Sequence, residues 1–173
     1  MELTQLAKLI RDVPNFPKPG IIFKDITTLI SDADAFAATI DYFVDRYRDQ
    51  KIDKVLGVES RGFIFAGALA YALDAGMLVV RKPGKLPYKK KSITYSLEYG
   101  TDSIEIHEDA VTPGERILLI DDLLATGGTM GAVANLVESL GGVVAELAFV
   151  VELDFLKGRE KLAGRPIFSL VHF

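Results

Sequence analysis

The chain lacks several of the features that would announce a chemistry by themselves. It has no cysteine among its 173 residues, which excludes a disulfide framework, a thiol nucleophile and a cysteine-based metal site. It has two histidines, His107 and His172, far apart in sequence and without a second ligand at metal spacing. Each is read as structural or solvated. No apolar run approaches the ~18 residues needed to span a membrane. The first residues, Met1-Glu2-Leu3-Thr4-Gln5, show neither the basic nor the apolar region of a signal peptide. There is no Gly-x-x-x-x-Gly-Lys-Ser/Thr, and no Gly-x-Gly-x-x-Gly after a strand, which disfavours a P-loop nucleotidase and a dinucleotide fold. There is no large charge of one sign: the net charge of −4, with both signs interspersed, argues against bulk nucleic-acid affinity and against an anionic membrane surface. The expectation is a soluble, cytoplasmic protein.

What is present is a globular chain, 49% hydrophobic, long enough for one domain with a substantial core. Leu3, Leu6, Leu9 and Ile10 recur at helical spacing and predict a helix over 3–12. The three prolines and the glycine of 13–20 predict an extended irregular segment. Ile21–Ile26 follows, an apolar patch that is either ordinary core or the lining of a pocket. Phe36, Ile40, Phe43, Val44 and Tyr47 form one face of a helix over 32–49, with Ser31 or Asp32 as its cap. Strands are predicted at 54–59, 77–81, 117–120, 143–151 and 167–171, and helices at 63–73, 130–140 and within 153–162. Residues 92–107 alternate around Gly100-Thr101-Asp102 as a β-hairpin. Strands alternating with helices predict an α/β fold: a mainly parallel central sheet with flanking helices and right-handed crossovers. A hairpin inserted between two parallel strands is expected to serve as a mobile flap, spanning 82–108, rather than as core. No repeat or linker divides residues 1–173.

The chemistry concentrates where such a sheet binds ligands, beyond the carboxyl ends of its strands. Four apolar residues, Ile117–Ile120, read as a strand buried on both faces, ended by Asp121-Asp122. The turn Ala125-Thr126-Gly127-Gly128-Thr129 leads from it into a helix. Its glycines permit φ > 0, its N–H groups can form an anion nest, and the helix N-terminus adds unpaired donors. Glu59-Ser60-Arg61 and Arg81-Lys82 with Lys85 fall at other strand ends. Arg61, at a strand-to-helix turn, is either a solvated cap residue or an anion ligand. The set suits a sugar carrying two phosphate groups, one neutralised by Arg61, Arg81 and Lys85, the other seated on 125–129. Asp121 and Asp122 would accept from sugar hydroxyls and favour a nearby Mg²⁺ or a developing cation. Lys89-Lys90-Lys91 reads as part of a solvated flap, and Glu98 on its pattern alone reads as a solvated hairpin carboxylate.

Ile120–Thr129 resembles the phosphoribosyl pyrophosphate motif of type I phosphoribosyltransferases, and its Leu-Leu-Ala-Thr-Gly-Gly-Thr form resembles that of the adenine-specific branch. The likeness continues through 16–26, 59–63, 81–87, 95–100 and 156–162. It implies a reaction in which adenine and Mg²⁺-phosphoribosyl pyrophosphate give AMP and pyrophosphate, and a fold with a small N-terminal hood over 1–30. Residue by residue it implies that Ala125, Thr126, Gly127, Gly128 and Thr129 hold the 5′-phosphate, and that Asp121 and Asp122 hold the ribose hydroxyls. Arg61, Arg81 and Lys85 would face the pyrophosphate, with Lys85 reaching a neighbouring subunit of a homodimer, and Ser60 and Tyr99 would also bind phosphoribosyl pyrophosphate. Ile22 and Lys24 would read adenine through backbone groups, and Phe23 and Leu153 would sandwich its ring. Glu98, with Arg61 as the second catalytic group, would handle the N7 proton. Mg²⁺ would arrive with the substrate, with no metal ligand supplied by the chain. Lys24 stands where the family usually has arginine. The alternatives are a hypoxanthine, guanine or xanthine enzyme, or a phosphoribosyl pyrophosphate-sensing regulator of purine-repressor type, which would need a DNA-binding module not evident before residue 13.

Overall fold

The computed structural model describes residues 1–96 and 100–173. Its centre is a five-stranded sheet of β3 (Lys54–Val58), β4 (Gly76–Val80), β7 (Arg116–Leu124), β8 (Val143–Glu152) and β9 (Ile167–His172), in the order β4-β3-β7-β8-β9. Every neighbouring pair is parallel. The α/β class is therefore as the alternating pattern predicts. Two clusters of apolar side chains cover the two faces, and β7 divides itself between them. Leu118 and Ile120 join one cluster, Ile117 and Leu119 the other, all fully buried. This period of two is the pleat of a strand with core on both sides.

The helices α3 (Ala33–Tyr47) and α4 (Gly62–Ala72) cover the first face, and α5 (Gly128–Ser139) covers the second. Asp32 caps α3 by accepting from the Ala35 N–H at 2.9 Å. From β3 the chain crosses through α4 to β4 at one edge. From β7 it crosses through α5 to β8 in the other direction. The boundary between β3 and β7 is thus the point where the winding reverses, and crevices open at the carboxyl ends of such strands.

Four local expectations change. The helix expected over 3–12 is shorter, α1 (Leu3–Leu9), and the segment expected to be irregular contains β1 (Arg11–Pro14), which pairs antiparallel with β2 (Ile22–Asp25). A short helix, α2 (Thr27–Ile30), follows without a capping side chain to signal it. Asp121-Asp122 do not end their strand: β7 runs on to Leu124, because the long β8 offers Phe149, Val151 and Glu152 as ladder partners. The helix expected within 153–162 is split into a 3₁₀ turn (Asp154–Leu156) and one turn of helix, α6 (Gly158–Lys161), by Lys157 at φ 52°. The hairpin is present as β5 (Lys90–Ser96) and β6 (Thr101–His107). It has a core side, since Ile104 and Ile106 pack among the buried residues of the second cluster.

Candidate active site

A cleft of about 320 Å³ opens at the β3–β7 reversal, lined by Glu59, Ser60 and Arg61 after β3, Asp121 and Asp122 on β7, Lys82 after β4, and Thr129. A smaller cavity of about 90 Å³ adjoins it, sharing Asp121 and Thr129 and lined by the turn Ala125–Gly128. Two anion-compatible seats therefore flank one carboxylate pair.

The smaller seat is made of backbone. Gly127 starts α5 with φ 80°, a conformation that costs an L side chain and suits glycine. Among the described residues no side chain caps α5, which leaves its first N–H groups to face an anion. The turn is braced from behind. A Cβ on Gly127 would meet the carbonyl oxygen of Gly158 at 2.4 Å, and a Cβ on Gly158 would meet that of Ala125 at 2.3 Å. The start of α6 thus lies backbone against backbone on the seat. Arg159 next to it holds Glu152, only 3% exposed, in a two-pronged ion pair with 2.7 and 2.8 Å contacts, and Ser169 Oγ donates to the same carboxylate at 2.6 Å.

The carboxylate pair is asymmetric. Burial, and next the charge of Asp122, push the Asp121 carboxyl well above its usual range. Asp121 Oδ1 accepts the Asp122 N–H at 2.9 Å. Asp122, 4% exposed, lies 2.7 Å from Arg61 Nε, but among the described residues this Oδ2 accepts no aligned hydrogen bond. A buried carboxylate oxygen without a donor fits a site meant to receive sugar hydroxyls or a substrate-borne cation. The Arg61 guanidinium also stands 5.3 Å from the centre of the Phe23 ring, joining Asp122 to the aromatic expected to hold the base.

The other cations are not placed alike. Arg81 Nε and Lys85 Nζ converge on Glu59, which also accepts the Lys82 N–H at 2.8 Å. Burial opposes ionisation of Glu59, but these donors outweigh it and hold the carboxyl below its usual range. Lys82, lining the cleft, has its ammonium on Asp102 of β6.

At the positions expected to read the base, Ile22 and Lys24 alternate with Phe23 along β2, so the backbone groups of the two face the same edge of the ladder. Ile22 is exposed, and the Phe23 ring meets Phe16 edge-on at 5.2 Å. Lys24 directs its ammonium to Asp12 at 2.6 Å and over the Phe173 ring at 3.7 Å. Its side chain is engaged within the protein, which leaves the backbone as its way to touch a ligand. Leu153 is buried at the end of β8. Glu98 and Tyr99 lie outside the described residues. The fold thus brings together Ser60, Arg61, Asp121, Asp122 and 125–129, with Phe23 against Arg61, and sets Arg81 and Lys85 against Glu59. The sequence pattern assigns no site role to Tyr95, Asp102, Glu152, Gly158 or Arg159, although 95–100 and 156–162 carry part of the family likeness.

The phosphoribosyl transferase domain model matches residues 28–164. The chain belongs to the adenine phosphoribosyltransferase family. It is 59% identical over 173 residues, the whole of both chains, to the adenine phosphoribosyltransferase of Chloroflexus aurantiacus. Among solved structures it is similar to that of Thermoanaerobacter pseudethanolicus, with 52% identity, a TM-score of 0.96 and 99% of each chain covered. The enzyme of Saccharomyces cerevisiae, complexed with adenine and an imino-altritol bisphosphate, is 41% identical with a TM-score of 0.92 over 97% of each chain.

Proposed function

We propose that this protein transfers the 5-phosphoribosyl group of Mg²⁺-phosphoribosyl pyrophosphate to adenine, forming AMP and pyrophosphate in purine salvage. The observation that carries this reading is the pair of anion seats on either side of Asp121-Asp122 at the winding reversal. A substrate with phosphate groups at two ends of one sugar spans that arrangement. The yeast relative's complex, with adenine and a bisphosphorylated sugar-like ring, has the same two chemical parts.

In this reading the 5′-phosphate sits on the 125–129 turn, and Asp121 and Asp122 accept from the ribose hydroxyls. Mg²⁺ comes as part of the substrate. Adenine N9 forms the bond to C1′ while the C1′–oxygen bond to pyrophosphate breaks, and the leaving electron pair goes to pyrophosphate. Bond breaking runs ahead, so the sugar passes through an oxocarbenium-like state. The asymmetric carboxylate pair stabilises that positive charge. Arg61 neutralises charge on the leaving group, and Glu98 takes or relays the N7 proton. Phe23 and Leu153 hold the ring, with Ile22 and Lys24 reading it through the backbone. Water must be kept from the cation.

The protein is proposed to act as a cytoplasmic homodimer. No described helix is long and apolar enough to cross a membrane. The sequence of α4, GFIFAGALAYA, is apolar on every side, as expected of a helix covered all round. Yet Ile64 and Tyr71 on one of its faces are 40% and 91% exposed, and the neighbouring edge-strand Met77 is 41% exposed. A second copy would cover this strip. Sedimentation should show a dimer that Ile64→Glu weakens, and a wild-type monomer at assay concentration would refute it. The activity is tested by offering phosphoribosyl pyrophosphate and Mg²⁺ with adenine, hypoxanthine, guanine or xanthine. AMP from adenine alone is the expected result, and failure to form it refutes the reading.

A further inference from the structure

Each cationic side chain described around the cleft already has a carboxylate. Arg61 has Asp122, Arg81 and Lys85 share Glu59, and Lys82 has Asp102. These carboxylates differ in what else they do. Asp122 is buried beside Asp121, and Glu59 also fixes the backbone of Lys82. Asp102 sits on the inserted hairpin with its side chain 29% exposed. Among the described residues its remaining partners are its neighbour's N–H, from Ser103 to Oδ1 at 2.8 Å, and the Tyr95 hydroxyl, which donates to Oδ2 at 3.3 Å. Tyr95 in turn accepts from Thr129 Oγ1 at 3.2 Å. One polar chain, Lys82–Asp102–Tyr95–Thr129, therefore runs from the larger anion seat to the smaller and uses a donor from each.

We propose that Asp102 is an internal stand-in for substrate phosphate, an affinity-setting residue that occupies Lys82 directly and Thr129 through Tyr95 until an anionic substrate displaces it. The inference rests on the phosphoribosyl pyrophosphate reading above, with pyrophosphate as the anion that competes for Lys82. An ammonium satisfies one full negative charge well and a second poorly, so a bound phosphate and the Asp102 carboxylate contend for the same donor. Asp102 thereby weakens substrate capture and also eases departure of the pyrophosphate product. The hydroxyl of Thr129 faces the same choice between Tyr95 and the 5′-phosphate.

Inorganic pyrophosphate with Mg²⁺, titrated calorimetrically into the intact protein, reads this without turnover. Asp102→Asn keeps the shape and removes the charge. It should tighten pyrophosphate by about two- to tenfold, the range set by a hydrogen-bonded pair of this partial exposure. It should lower KM for phosphoribosyl pyrophosphate similarly, with KM for adenine unchanged. Tyr95→Phe, which leaves the Lys82 pair intact, should tighten ribose 5-phosphate and leave pyrophosphate unaltered. Asp102→Ser is the second variant. Unchanged or weaker pyrophosphate binding in both Asp102 variants overturns the proposal. Loss of the fold in both also overturns it, since the carboxylate would then serve the hairpin and not the cleft. Wild-type protein that binds no pyrophosphate and forms no AMP would instead remove the underlying reading.

Discussion

Substituting Gly158 by alanine tests whether the phosphate seat depends on a brace outside it. The residue is not a ligand in any reading above, and its role is to let two backbones touch. The new methyl carbon would stand 2.3 Å from the Ala125 carbonyl oxygen and 2.8 Å from a Leu124 methyl. Ordinary contact needs about 1 Å more, and neither side of the contact can yield freely. Leu124 is held in the β7–β8 ladder, and Arg159 is locked to buried Glu152. Overpacking of this kind costs about 1–3 kcal/mol. At roughly 2–4 °C per kcal/mol for a domain of this size, the melting temperature should fall by about 2–12 °C. The displaced atoms are those of the 125–129 turn, where a shift of about 1 Å is enough to lower kcat/KM by up to ~100-fold. Steady-state kinetics with phosphoribosyl pyrophosphate varied, beside a thermal melt, measures both. Gly131→Ala is the control, since its methyl would meet only Leu162 at 3.4 Å, and in a helix interior the change should be neutral or stabilising. A Gly158→Ala protein with wild-type melting and wild-type kcat/KM would refute the bracing argument.

Three other substitutions probe separate parts of the molecule. Arg159→Met leaves Glu152 buried without its cation, and because the Arg159 side chain is 44% exposed the expected cost is about 2–3 kcal/mol, below that of breaking a fully buried pair, read by chemical denaturation. Glu98→Ala should lower kcat by about 10²-fold or more while KM for phosphoribosyl pyrophosphate stays near wild type. An equal loss in both would contradict proton handling. Asp25 is held down to about 2 by its bond from Arg11 and then by Thr27, against an ordinary 3.8. A depressed carboxyl contributes stability above the unfolded value and loses it as pH falls through the folded one. The charge-dependent part of the stability gap between wild type and Asp25→Asn should therefore be full at pH 6, shrink below about pH 4 and vanish only below about pH 2 in acid denaturation. A gap that is constant with pH would exclude the ion pair as its source.

What the sequence makes legible follows from how local each cause is. Ile117–Ile120 could be read as a doubly buried strand because the signal lies in four adjacent side chains, and 125–129 as an anion seat because its glycines and helix start are contiguous. The order of the sheet, which places Arg61 beside Asp122, is a long-range pairing with no local mark. The same is true of β1, whose partner strand lies beyond the proline-rich segment that disguised it. The split at Lys157 comes from a left-handed backbone at a lysine, a residue that gives no warning of it.

Charge shows the same limit more sharply. From sequence, Arg81 and Lys85 are cations at a strand end and therefore anion ligands. In the fold they meet Glu59, from the neighbouring strand's end, and the Lys82 ammonium meets Asp102, from a hairpin twenty residues further on. A site for a polyanion must be positive when occupied. Yet a cluster of unpaired cations in a half-closed cleft repels itself and raises the energy of the empty protein. Internal carboxylates resolve the conflict by holding the cations until substrate arrives. Where such a carboxylate is largely shielded and has a second task, as Glu59 does in fixing the Lys82 backbone and Asp122 does beside Asp121, removing it should damage the site. Where it is partly exposed and borne by the hairpin, as Asp102 is, removing it should tighten the site. Opposite signs for chemically similar carboxylates follow from their burial and their second partners, which only the folded structure supplies.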